Sequence, residues 1–178
     1  MFSKEVTVPS AFEITIEENE LTVTDQLRRI TLRSHYDPLI CRVIPIEGAV
    51  RFEAMRDRRI FESKTKTFAS LFANNIQGLI TPFERRLQIF FRHFPMKVEV
   101  RGSQVYIMKF LGEVAPRIAT ILDQVQVEVL ESEHLIRVTG PSLPAVSQTA
   151  ANIEQTCKIR HLDRRVFQDG IYLINESK

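Results

Sequence analysis

The chain has 178 residues, 44% hydrophobic and 26% charged, which suits a folded chain with one good core or two small ones and excludes a low-complexity protein. A formal net charge of only +2 excludes a uniformly basic chain, and no apolar run reaches the roughly 20 residues of a membrane-crossing helix. The two cysteines, Cys41 and Cys157, lie far apart without metal-type spacing and read as reduced core thiols of a cytosolic protein.

The opening, MFSKEVTVPS, lacks a signal-peptide h-region and the composition of a transit peptide, so a cytoplasmic address is expected. In AFEITI, Phe12, Ile14 and Ile16 alternate with Glu13 and Thr15. ENELTV then turns at Glu18-Asn19 and returns with Leu21 and Val23, the pattern of a hairpin. MRDRRIFESKTK reads either as a solvated loop, given its Asp57 and Glu62, or as a phosphate-facing surface. KTFASLFANNIQGLI places Phe68, Leu71, Phe72, Ile76, Leu79 and Ile80 at helical spacing and stops at Thr81-Pro82.

ERRLQIFFRHFPMK mixes Arg85, Arg86, Arg92 and His93 with Phe90, Phe91 and Phe94. Aromatics among cations stack on bases or fill a core. A chain without tryptophan needs large apolar fillers, so most of these phenylalanines are expected inside. MKVEVRGSQVYIM repeats the hairpin pattern, with Met96, Val98 and Val100 leading to a Gly102-Ser103 turn and Val105 and Ile107 returning. SLPAVSQTAANIEQTC sets Leu143, Val146, Ala150, Ile153 and Cys157 on one stripe, with Ser142 at the N-cap and Pro144 in the first turn. Beyond it, RHLDRRVFQDGIYL sets Arg160, His161, Arg164 and Arg165 around Asp163, before an Asp169-Gly170 turn. The helix macrodipole accounts for Lys158 and Arg160 but not for the later cations, which lie past the apolar stripe. Phosphate contact and a protein-binding surface both remain open for them.

A hairpin followed by an amphipathic helix thus occurs twice, about 80 residues apart. ASLFANNIQ and VSQTAANIE share Ser70/Ser147, Ala73/Ala150, Asn75/Asn152 and Ile76/Ile153. The expected fold is α+β, with two tandem similar modules, each a small antiparallel sheet packed on one helix, over residues 1–81 and 82–178. Motifs of catalysis are missing. The six glycines form no phosphate loop, and the four histidines, His35, His93, His134 and His161, have no ligand spacing. Ser147 has no strand-to-helix elbow and reads as a packing residue. No enzyme, metal, cofactor or small-molecule substrate is expected.

HFPMKVEV, KFLGE, IRVTGPSLPAVSQTAANIEQ and RRVFQDGIYL, in that order, resemble the large-subunit ribosomal protein six family, whose eukaryotic member is numbered nine. The DGIYL ending is similar to the eukaryotic and archaeal branch. TDQLRRI, residues 24–30, lacks the family's glycine-proline turn, and the first half is divergent. The resemblance implies a structural constituent of the cytosolic large ribosomal subunit that binds large-subunit rRNA mainly through its second module. It also implies a position near the sarcin–ricin loop and the translational GTPase landing site, among other large-subunit proteins. The expected RNA contacts are Lys158, Arg160, His161, Arg164 and Arg165, with Arg92, His93 and Lys109 as a second patch. The Gly140-Pro141 approach to the helix is a further candidate, and Tyr172 either packs or stacks. A non-ribosomal protein- or RNA-interaction module is the alternative.

Overall fold

A computed structural model describes residues 2–92, 94–160, 162–163 and 165–174, and divides the chain after Thr81 into two compact units, each with its own core. The first unit holds β1 (Ser3–Thr7), β2 (Phe12–Ile16), β3 (Glu20–Asp25), β4 (Ile30–His35), β5 (Cys41–Ile46), β6 (Ala49–Ala54) and α1 (Arg59–Ile80). Two antiparallel sheets form, in the spatial orders β2-β3-β4 and β1-β6-β5. The two-residue period of a strand sends Leu21 and Val23 of β3 inward and leaves Thr22 and Thr24 half-buried. Helix α1 lays Ala69, Phe72, Ile76 and Leu79 on this core, with the Phe72 ring centroid 5.6 Å from that of Phe52. At its far end the Arg28 guanidinium donates to the Leu79 carbonyl at 3.0 Å, satisfying one of the orphan acceptors there.

Helix α1 starts at Arg59, so only the first residues of the basic block form a loop and the rest is helix. The helical spacing extends back through Phe61, and the Glu62–Lys66 pair at 2.6 Å braces the first turns. Arg59, Lys64 and Lys66 are exposed along the helix, whereas Arg56 and Arg58 are exposed on the loop before it.

The second unit holds β7 (Phe83–Phe90), β8 (Lys97–Arg101), β9 (Gln104–Met108), β10 (Arg117–Thr120), β11 (Gln126–Leu130), β12 (Leu135–Gly140), α2 (Leu143–Thr156) and β13 (Gly170–Ile174). Its sheets run β10-β9-β8 and β11-β12-β7-β13, all antiparallel. The topology of the first unit recurs. A first strand pairs with the last strand before the helix, β1 with β6 and β7 with β12. Between them come a three-stranded meander and one strand, β5 or β11, that forms a hairpin with the last. Strand β2 begins at Phe12 and β8 at Lys97, β5 at Cys41 and β11 at Gln126, 85 residues apart in both cases. Tandem α+β modules are therefore present, with two sheets in each rather than one. Helix α2 packs against β7, β12 and β13 of one sheet and β10 of the other. Residues 157–169 and β13 have no counterpart in the first unit.

The phenylalanines of the join are a correction. Phe90, Phe91 and Phe94 are 53%, 37% and 42% exposed, not buried. The pleat decides Phe90: Leu87 and Ile89 of β7 face the core, so Phe90 faces away. Phe91 lies past the strand end and meets the His134 ring edge-on at 5.2 Å. Phe94 lies against Gly112, where a Cβ would sit 3.5 Å from its ring. The second core is filled instead by aliphatic side chains around Phe110.

Candidate nucleic-acid interface

The site grows out of the end of α2. The helix stops at Thr156, and Cys157 and Ile159 turn into the core, which leaves Lys158 and Arg160 pointing outward on either side of Ile159. Arg117 holds this exit in place. Its guanidinium donates to the carbonyls of Thr156 at 2.8 Å and Lys158 at 3.0 Å, which neutralises the carbonyl end of the helix. Glu113 grips the same guanidinium through both carboxylate oxygens, at 2.6 and 2.8 Å, and Arg117 lies 4.3 Å from the Phe110 ring centroid. The Arg117 hydrogen bonds hold the Glu113 carboxyl below the usual carboxylate range, and Glu113 in turn raises Arg117. Burial pushes the Cys157 thiol up to about 12, so it stays protonated at neutral pH.

Further along, Asp163 folds the chain back. Its Oδ1 accepts the Arg165 N–H at 2.9 Å, and its carbonyl accepts the N–H groups of Val166 and Phe167. Asp163 thus serves the backbone of its own turn. Phe167 is half-buried against the core. Asp169 is buried, and its Oδ1 accepts the Arg92 N–H at 2.8 Å, which ties the end of β7 to the start of β13. Lys109 begins a tight turn over Phe110–Gly112 with a left-handed φ of 58°, and that turn meets the Phe94 ring.

Three adjoining hollows connect these groups. One is bordered by Arg117, Gln155 and Arg160, the next by Gln155, Lys158 and Tyr172, and the third by Tyr172, Phe90 and Arg92. Arg92, Lys158, Arg160 and Tyr172 therefore belong to one continuous surface. Gly140 does not. It is buried opposite Phe83 at the end of β12, where a Cβ would lie 2.9 Å from the Gln124 carbonyl oxygen. The length of α2, about 21 Å for 14 residues, separates it from Lys158. Ser142 occupies the N-cap position, but its side chain makes no capping hydrogen bond. His93, His161 and Arg164 lie outside the described residues.

Charge pairing sorts the cations of the second unit. Lys97 and Arg101 share Glu99, Arg117 is held by Glu113, and Arg137 lies between Glu84 and Glu128. Arg92, Lys109, Lys158, Arg160 and Arg165 are exposed and, among the described residues, carry no ion pair. Arg85 shares this state. Unpaired, solvated cations on a rigid body suit phosphate, because they enter contact without first breaking an internal pair. Among the described residues no cluster of three or more His, Cys, Asp or Glu could hold a metal ion. Sequence reasoning missed Arg117 as a positioning residue; its only signal was the four-residue spacing to Glu113, which has no meaning outside a helix until the turn is known.

The ribosomal protein L6 family model matches residues 94–170. The large ribosomal subunit protein uL6 of Natronomonas pharaonis is 37% identical over 169 residues, covering 95% of this chain and 93% of that protein. The protein of the same name from Haloarcula marismortui is 36% identical with the same coverage, and that from Methanosarcina mazei is 44% identical over 74% of this chain and 73% of that protein.

Proposed function

The chain belongs to the ribosomal protein L6 family, on its archaeal branch, and from that membership we propose that it is a non-catalytic structural constituent of the large ribosomal subunit. The second unit binds large-subunit rRNA. Lys158, Arg160 and Arg165 meet phosphate along the exit from α2, and Arg92 and Lys109 extend the contact. His93, His161 and Arg164, by their places in the sequence, join the same segments. Recognition is of folded RNA shape through phosphate and ribose more than of base sequence. In our reading this surface lies near the sarcin–ricin loop and the landing site of the translational GTPases, with neighbouring large-subunit proteins around it and a cytoplasmic address; the family membership supports this reading.

The observation that carries the proposal is the sorting of charge. Among the described residues, the second unit pairs Arg86, Lys97, Arg101, Arg117 and Arg137 with acids and leaves unpaired a set that includes Lys158, Arg160 and Arg165 of the 158–165 segment and Arg92 on the adjoining surface. That segment is what the second unit has and the first lacks. The test is co-sedimentation with large subunits through high-salt gradients, using the full chain and an Arg160→Glu/Arg165→Glu variant. Retention of the wild-type chain and release of the variant support it. Equal retention of both removes the phosphate role of this segment.

A further inference from the structure

Phe90 and Tyr172 form a shelf with no structural need to be there. They are half-exposed, on the face of β7 and β13 turned away from the core. An exposed apolar surface of this kind marks a contact site. Gly170 pairs opposite Phe90, and the Tyr172 ring folds back over it; a Cβ on Gly170 would lie 2.9 Å from Tyr172 Cζ. The Tyr172 hydroxyl donates to the Gln168 carbonyl at 3.2 Å and holds the ring by its far end. The two ring centroids are 5.9 Å apart at an interplanar angle of 54°, a tilted pair in which Phe90 stays 53% and Tyr172 42% exposed. A hollow of about 450 Å³ opens beside them, flanked by Phe91 and Arg92, with the buried Asp169 behind.

We infer that this shelf takes one unpaired RNA base by stacking, while Arg92 and Lys158 hold the flanking phosphates. The inference rests on the RNA-binding role proposed above and adds a subsite that this role does not require. Charge selects the occupant. Arg92 borders the hollow and Lys158 the adjoining one, and both are exposed without an acidic partner among the described residues. Two acids also line these hollows, and both face backbone N–H groups: Asp169 is 1% exposed and accepts from the Arg92 N–H, and Glu154 faces the Leu173 N–H. Rings that stack on any base, beside cations that track a backbone, are what single-stranded nucleic acid needs. An added peptide strand fits less well. The outer edge of β13 is already covered by α2, with Glu154 facing the Leu173 N–H at 3.4 Å and Cys157 facing that of Ile171.

The test uses the full chain and deproteinised large-subunit rRNA. Phe90→Ala/Tyr172→Ala should bind about tenfold or more weakly, with the salt dependence unchanged because no phosphate contact is lost. The chain has no tryptophan, so Phe90→Trp installs a single reporter on the shelf. Its emission should be quenched by oligoadenylate and not by an abasic ribose-phosphate oligomer of equal length. Wild-type rRNA affinity in the double-alanine variant, or an equal response to both oligomers, overturns the inference and leaves the salt-dependent RNA role standing. Unchanged rRNA affinity with lost retention in the large subunit assigns the shelf to a protein and also overturns it. A wild-type chain that binds no rRNA removes both proposals.

Discussion

Arg117 and Glu113 show how one pair sets the pH response of the site. Glu113 has a folded-state pKa below its ordinary value because Arg117 donates to it, so the pair stabilises the fold fully above the ordinary carboxylate range. As pH falls through that range and below it, the unfolded chain binds the proton first, and this stability is lost. Thermal melts of Glu113→Gln against the wild type should show a smaller drop in midpoint on the acid side, with the two curves converging at low pH. Arg117→Ala also strips partners from the Thr156 and Lys158 carbonyls. A loss of about 1–3 kcal/mol is expected in denaturant titration. The thiols behave differently. Burial raises both Cys41 and Cys157, so neither should react with an aromatic disulfide reagent until the chain unfolds. Release of both at the rate of global unfolding would be the expected trace.

Strand β13 does the most at the level of the element. It extends the sheet past β7, carries Tyr172 to the surface, and is fixed at its start by Asp169. Gly170→Ala should leave the fold intact, because the crowded atoms belong to a surface ring that can swing away. The ring must then leave its place over residue 170. Near-ultraviolet circular dichroism from tyrosine should change while the far-ultraviolet spectrum holds, and RNA affinity should fall with it. Asp169→Ala removes the acceptor for the Arg92 N–H, and a cost of about 1–3 kcal/mol is expected. The helices were the most legible elements. The apolar stripes of α1 and α2 show in the spacing of Phe68, Phe72, Ile76 and of Val146, Ala150, Ile153, because a helical period needs no partner to be read. The start of α1 was less so. Its first turns are rich in arginine and lysine, and charged residues suit a solvated helix as well as a loop.

The whole molecule is two copies of one topology, and the proposed function sits on what the second copy adds. Binding to rRNA should weaken steeply with salt, each phosphate contact contributing roughly 0.7 to 0.9 to the slope of log affinity against log salt. Arg160→Gln/Arg165→Gln should lower that slope by roughly 1.4 to 1.8, since each substitution removes one contact. An unchanged slope would show that these side chains meet no phosphate. The sequence by itself determined the α+β class, the tandem repeat, the buried stripes of both helices and the resemblance to the ribosomal family. Those rest on local periodicity and on motifs in linear order. Only the tertiary structure decided which cations are spoken for, since Glu113 reaches Arg117 through a folded turn, Glu84 reaches Arg137 across paired strands, and Glu99 meets Lys97 and Arg101 on one face of β8. It also decided that Phe90 faces outward, that Tyr172 lies over Gly170, and that Gly140 is closed in at the far end of α2. Pleat, register and helix length set those positions, and none of the three is carried by the residue names alone.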